Sequence, residues 1–130
     1  MTNQELSLQD RLKKGFDLLR EKENQEALEL LNNLLESDPE NDRGWLLFGI
    51  ANRRIGKMRE AITSFQKATE LNNSSEEAWG LLTITYLDSR QEERANKCLL
   101  RAIELNPSRE ELKFYRHNLI RIYKTFGPFF

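Results

Sequence analysis

A tryptophan stands at residue 45, and the only other one stands at residue 79. The interval between them is not confined to that pair. Aligning Trp45 on Trp79 sets Ala61 on Ala95, Phe65 on Leu99, Ala68 on Ala102 and Leu71 on Leu105. "REAITSFQKATELN" (59–72) therefore returns as "ERANKCLLRAIELN" (93–106). One interval earlier, "QEALELLNNLLESDP" (25–39) puts Ala27, Leu31 and Leu34 in the same slots. A period of this length signifies stacked units, each a supersecondary motif too small to bury its apolar face alone.

Within a unit the apolar residues fall into two runs of helical spacing. Residues 42–55 place Trp45, Phe48, Gly49 and Asn52 on one face; residues 59–71 place Ala61, Phe65 and Ala68 on one face of a second helix. "IGKM" (55–58) and "SRQE" (89–92) read as the turns between helices, with Gly56 available for a positive φ. Pro39 and Pro107 fall between units, where a helix cannot continue. Ser74 and Ser108, each followed three residues later by Glu77 or Glu111, read as helix N-caps. The large side chain of the first helix is expected to fill the space over Ala61 or Ala95. On that reading Trp45 is buried, and its removal costs about 3–5 kcal/mol.

These residues resemble the tetratricopeptide repeat (TPR) family, whose 34-residue pattern is W-x2-L-G-x2-Y, then A-x3-F, then P. Unit 42–75 carries Trp45, Phe48, Gly49, Ala61 and Phe65, with Asn52 in the tyrosine slot and Asn73 in that of the proline. Unit 76–109 carries Trp79, Leu82, Tyr86, Ala95, Leu99 and Pro107, with Thr83 in the glycine slot. Unit 8–41 carries Gly15, Ala27, Leu31 and Pro39, but Arg11 and Lys14 stand in its first two large-apolar slots. The three units together run from 8 to 109, most of the chain. The resemblance implies an all-α fold: a right-handed superhelix (α-solenoid) of three helix-turn-helix TPR units plus a capping helix, forming a single domain over 1–130. Residues 109–124 read as that cap. Leu112, Tyr115, Leu119 and Ile122 give it a stripe to pack on the third unit, while Lys113, Arg116 and His117 leave its other face polar.

The tail 125–130 ends in Phe126, Phe129 and Phe130. Three arrangements suit it: folding back near Phe114 or Ile120, filling an apolar groove of its own or a neighbouring chain, or belonging to a longer protein whose next helix follows.

A helical wheel then separates a third face from the two that the repeat buries. In unit one it carries Gln9, Leu12, Lys13, Phe16, Leu19 and Arg20; in unit two Arg43, Leu46, Leu47, Ile50, Arg53 and Arg54; in unit three Glu77, Gly80, Leu81, Ile84, Leu87 and Asp88. In the resembled family these positions line the concave groove. An apolar third face has two solutions. Either it is an exposed patch, which marks a binding site, or the superhelix curls until these side chains pack as core. The first makes the protein a scaffold binding an apolar-anchored peptide or amphipathic helix of another protein. Arg43, Arg53 and Arg54 then favour acidic groups, and Glu77 and Asp88 basic ones. The second function class is homo-oligomerisation through groove, lid helix or Phe-rich tail.

Members of the family that hold the acidic C-termini of large chaperones use a two-carboxylate clamp of Lys and Asn, then Asn, then Lys and Arg. Here those slots hold Leu12 and Phe16, then Leu47, then Glu77 and Leu81. One unit later they hold Leu46 and Ile50, then Leu81, then Glu111 and Tyr115. Neither register contains a clamp residue, so no binding of that type is expected.

Composition removes other classes. A net charge of −1, with acids interspersed among the bases, argues against nucleic acid as a partner. No run of 18 apolar residues exists and the N-terminus lacks a signal core, so no membrane partner and a cytoplasmic location are expected. Cys98 is the only cysteine and His117 the only histidine, neither at ligand or nucleophile spacing. No phosphate loop, nucleophile elbow or zinc spacing occurs. The expectation is a protein with no catalytic activity, no metal and no cofactor.

Overall fold

The structure, a computed structural model, describes residues 2–106. After a short 3-10 turn at Asn3–Glu5, these form α1 (Leu8–Arg20), α2 (Asn24–Ser37), α3 (Asp42–Arg54), α4 (Met58–Leu71), α5 (Glu76–Asp88) and α6 (Glu92–Leu105). The first helices of the hairpins begin at 8, 42 and 76, and the second at 24, 58 and 92, so the interval of the two tryptophans recurs in the elements themselves. No strand occurs among the described residues. The fold is all-α and built of TPR hairpins. The expected capping helix (109–124), the aromatic tail (125–130), Pro107, Ser108, Glu111 and His117 lie outside the described residues.

The hairpins begin and close by the same local chemistry. The side chains of Ser7, Asn41 and Ser75 accept from the backbone N–H of Asp10, Gly44 and Ala78 at 3.1, 2.8 and 3.3 Å, each satisfying an orphan donor of a helix start. The cap of α5 is thus Ser75 and not Ser74, because Ser75 stands one interval after Asn41 with its oxygen within reach of the N–H three residues on. At the turns, Lys22, Gly56 and Arg90 adopt φ of 63°, 87° and 59°. The N–H groups of Lys22 and Glu23 donate to the carbonyls of Leu19 and Leu18; Gly56 and Lys57 donate to Arg53 and Asn52, and Arg90 and Gln91 to Leu87 and Tyr86. These are the paired hydrogen bonds of a Schellman closure, repeated at one interval. Glycine suits the left-handed position; Lys22 and Arg90 hold it at a cost of about 1 kcal/mol each.

Contacts divide the chain into two compact units, Met1–Asn73 and Ser74–Phe130. In the first, α1 packs on α2, α2 on α3 and α3 on α4. Leu19, Ala27, Leu31, Leu47 and Ala51 form a buried cluster, with Leu12, Phe48 and Ile50 packed against it. Two glycines let the helices meet. A Cβ at Gly44 would lie 2.6 Å from Leu34 of α2, and one at Gly49 would lie 2.5 Å from the ring of the fully buried Phe65. In the second unit α5 packs on α6, with Trp79 and Ile103 against the buried Leu99 and Ala102. The buried hydroxyls of Thr83 and Thr85 donate to the carbonyls of Trp79 and Leu81 at 2.8 and 2.6 Å, so neither is left unsatisfied.

Two slots depart from the sequence reading. Trp45 is only part-buried; its indole N–H donates to the Pro39 carbonyl at 2.7 Å, and its ring meets Phe48 edge-on at 6.1 Å. The space over the second helix is filled instead by Phe65 lying on Gly49. Trp45→Ala is therefore expected to cost about 1–2 kcal/mol, one hydrogen bond and an aromatic edge contact, in place of the larger figure for a fully buried ring. Urea unfolding followed by circular dichroism measures the difference. The second slot is Arg11, which takes the place of a tryptophan and is nonetheless buried, at 7% exposure. Its Nε donates to the Leu6 carbonyl at 3.0 Å, Nη1 to Asn33 Oδ1 and Ser37 Oγ at 3.3 and 3.1 Å, and Nη2 to the Gln4 carbonyl at 3.3 Å. The guanidinium thereby ties the N-terminal turn to the end of α2.

Candidate partner-binding site

The first unit contains an open pocket of about 420 Å3 between α1 and α3, lined by Gln9, Asp10, Leu12, Lys13, Phe16, Arg43 and Leu47. Helical spacing explains the α1 side: residues 9, 12, 13 and 16 recur at i, i+3, i+4 and i+7 and so share one face. Phe16 is 44% exposed, unusual for so large an apolar side chain, and the guanidinium of Arg20 lies 5.9 Å from its ring centroid. Leu12 is part-buried and Leu47 is 3% exposed, so the floor is apolar while the rim carries the cations Lys13 and Arg43 and the carboxylate Asp10.

Of the residues assigned to the groove from the sequence, Gln9, Leu12, Lys13, Phe16, Arg43 and Leu47 come together here. Leu19 and Leu46 do not contribute to an exposed patch. They are 4% and 2% exposed: Leu19, near the end of α1, is buried in the cluster with Ala27, Leu31, Leu47 and Ala51, and Leu46 lies on α3, which is packed by α1, α2 and α4 so that its buried arc is wider than the wheel allows. Leu47 itself belongs both to the core cluster and to the pocket floor. Ile50 is part-buried against the same cluster, and Arg53 is part-buried. Arg54 serves the fold: its Nη1 donates to the Leu19 carbonyl at the end of α1 and to Asn24 Oδ1. Asp10 is the lining residue that the wheel omits; lying three residues before Lys13, it shares that side chain's face. The six assigned residues of the second unit, Gly80 among them, lie along α5. There Glu77 and Asp88 are exposed, and Leu81, Ile84 and Leu87 part-buried.

The described residues offer little for reaction chemistry. Burial pushes the Cys98 thiol up to about 11, so it stays protonated at neutral pH and is a poor nucleophile. No group of three His, Cys, Asp or Glu placed to hold a metal ion occurs among them. Among them, too, no helix is long and apolar enough to cross a membrane.

Hairpins repeated at one constant interval, closed by one kind of turn, define a tetratricopeptide repeat protein. The family model described as the N-terminal TPR repeats region of Psidin matches residues 9–122, and the chain belongs to that family. It is 28% identical over 92 residues to anaphase-promoting complex subunit 3 of Schizosaccharomyces pombe. That match takes in 71% of this chain but only 14% of the length of that relative. Solved structures share the fold at lower identity. The first TPR of Spaghetti (RPAP3), bound to the HSP90 peptide SRMEEVD, superposes with a TM-score of 0.82 at 21% identity, covering 93% of this chain and 94% of that one. The Arabidopsis OM64 TPR domain gives 0.84 at 15% identity, covering 92% and 98%. MamA gives 0.84 at 21% identity, covering 93% and 69%.

Proposed function

We propose that this protein is an interaction scaffold and that the α1–α3 pocket receives a segment of another protein through an apolar anchor. The observation that carries the reading is the exposed Phe16 over a floor of Leu12 and Leu47. Burying an aromatic or leucine anchor against these three would remove apolar area from water on both partners, at about 25 cal/mol per Å2. Lys13 and Arg43 at the rim favour an acidic residue beside the anchor. A similar fold, the first TPR of Spaghetti, is solved with a peptide bound, which supports a peptide as the kind of ligand. The chemistry differs here, since Leu12, Phe16 and Leu47 stand in the slots where a carboxylate clamp has lysine and asparagine. The selectivity expected is for an internal apolar anchor over a terminal carboxylate.

Selection from a random peptide display library is expected to enrich Leu, Ile or Phe next to Asp or Glu. Phe16→Asp should weaken the selected peptides at least about tenfold, the effect of one anchor lost and one repulsive charge gained. Because Phe16 is exposed, the variant's helical circular dichroism should be unchanged. Peptides that bind Phe16→Asp as tightly as the unaltered protein would remove the pocket from consideration.

A further inference from the structure

Three positions of the first unit depart together from the repeat. Arg11 stands in the slot that later holds Trp45 and Trp79, Asn33 in that of Lys67 and Arg101, and Ser37 in that of Leu71 and Leu105. The structure brings the three into contact. Nη1 of Arg11 donates to Asn33 Oδ1 at 3.3 Å and to Ser37 Oγ at 3.1 Å, while Nε and Nη2 donate to the Leu6 and Gln4 carbonyls. A tryptophan slot and a leucine slot have thus become a cation and a hydroxyl that touch.

The exchange buries a charge among neutral groups. Arg11 is 7% exposed, yet its acceptors are two carbonyls, an amide oxygen and a hydroxyl. Among the described residues no carboxylate forms an ion pair with it. A buried cation is costly unless an anion compensates it. The guanidinium also has one N–H more than these bonds use, on Nη2.

Ser37 is the acceptor that can become an anion. It is exposed at the last position of α2; Asp38 after it is extended at φ −139°, and Pro39 cannot continue the helix. Its Oγ accepts from Arg11 and donates to no described group, so replacing the hydroxyl proton breaks no bond. Glu36, Asp38, Glu40 and Asp42 flank it, a charge pattern of the kind by which a basic kinase cleft selects its substrate.

We propose that Ser37 is a phosphorylation site and that its phosphate is the counter-ion of Arg11. The donor is a nucleoside triphosphate held by an acid-directed protein kinase. Oγ attacks the γ-phosphorus and the Oγ–P bond forms. The bond from that phosphorus to the oxygen bridging to the β-phosphate breaks, the nucleoside diphosphate leaves, and the hydroxyl proton passes to a base of the kinase. The product carries a charge of about −1.5 to −2 at neutral pH and acceptor oxygens for both Nη groups. The helix C-terminus and the nearby carboxylates oppose this charge. Glu36 is exposed and screened, and Asp38 Oδ2 accepts from Asn41 Nδ2 at 3.1 Å, whereas Arg11 is in direct contact and shielded from water. The contact prevails. Because the same guanidinium holds the Gln4 and Leu6 carbonyls, the phosphate tightens the N-terminal turn against α2. The site shares no residue with the α1–α3 pocket, so either reading can fail without the other.

The test compares the full chain with the same chain carrying genetically encoded phosphoserine at position 37. The phosphorylated chain is expected to melt about 4 °C higher. Its Glu5 and Leu6 amides, bonded to the Thr2 and Asn3 carbonyls, should exchange with solvent about tenfold more slowly. In Arg11→Met the same phosphate should lower the thermal midpoint, since the helix end and the acidic neighbours then act alone. A solvated surface phosphate would not reverse sign in this way. Should Arg11→Met not fold, the amide exchange of the otherwise unaltered chain decides. An acid-directed kinase with magnesium ATP should place phosphate on Ser37, located by tandem mass spectrometry. The proposal is overturned if the kinase leaves Ser37 unmodified, if phosphoserine fails to raise the midpoint and slow the two amides, or if Arg11→Met keeps the gain. An equal gain for the unmodified chain in millimolar inorganic phosphate would also overturn it, by giving Arg11 to a free anion.

Discussion

Phe65→Ala is expected to remove about 3–5 kcal/mol of stability, the largest loss expected from a single side chain in the first unit. Phe65 is fully buried on α4, and its ring lies where a Cβ at Gly49 would be 2.5 Å away. Truncation therefore leaves a void facing a residue that has no side chain to relax into it, which places the cost toward the upper end of that range. Whole-domain stabilities are about 5–15 kcal/mol, so the variant should melt well below the unaltered protein. Phe65→Leu is the informative companion, because the equivalent positions one interval away are Leu31 and Leu99. It should recover most of the loss. Urea titration at 25 °C measures both variants, and a loss under about 1.5 kcal/mol for Phe65→Ala would mean that the ring and Gly49 are not in contact.

Arg11→Ala comes second, at about 2–3 kcal/mol, the range for hydrogen bonds to a charged group lost together from a buried site. The guanidinium reaches four acceptors, two of them carbonyls of the N-terminal turn. Its loss should act locally as well as globally. The amides of Glu5 and Leu6, bonded to the carbonyls of Thr2 and Asn3, should exchange with solvent much faster, while the amides of α3 and α4 should speed up only as far as the lower global stability requires. Arg11→Lys is not a rescue, since one ammonium cannot span acceptors arranged for a planar fork. Arg11→Met separates the contributions by keeping the aliphatic stem. If it is as stable as the unaltered protein, the stem alone accounts for the burial.

What can be read from the sequence is whatever recurs at the repeat interval. The six helices, the turn at Gly56 and the face of α3 that carries Gly49 all follow from slot-by-slot comparison. What cannot be read depends on partners that do not recur. Arg11 in a tryptophan slot looks like a defect until its acceptors are known. Two of these are backbone carbonyls and two are polar side chains on α2, none of which has a periodic signature. Lys22 and Arg90 hide the left-handed turns because only Gly56 announces one by residue type. A helical wheel treats the faces of α3 as equal arcs. It therefore gives Leu46 to the surface, whereas packing on three sides buries it. Phe16 and Leu12 are legible because α1, the first helix of its unit, is packed by fewer neighbours.

The three Schellman closures bear on how fast this chain reaches its fold. Each bond at residues 22–23, 56–57 and 90–91 reaches back only three or five positions, and each closed turn directs a helix onto the one just before it. The pairings that follow, α1 with α2, α3 with α4 and α5 with α6, join neighbours in sequence, so little loop entropy has to be overcome before contacts form. Chains of such low contact order fold in about microseconds to milliseconds, and any of the hairpins can serve as the starting point.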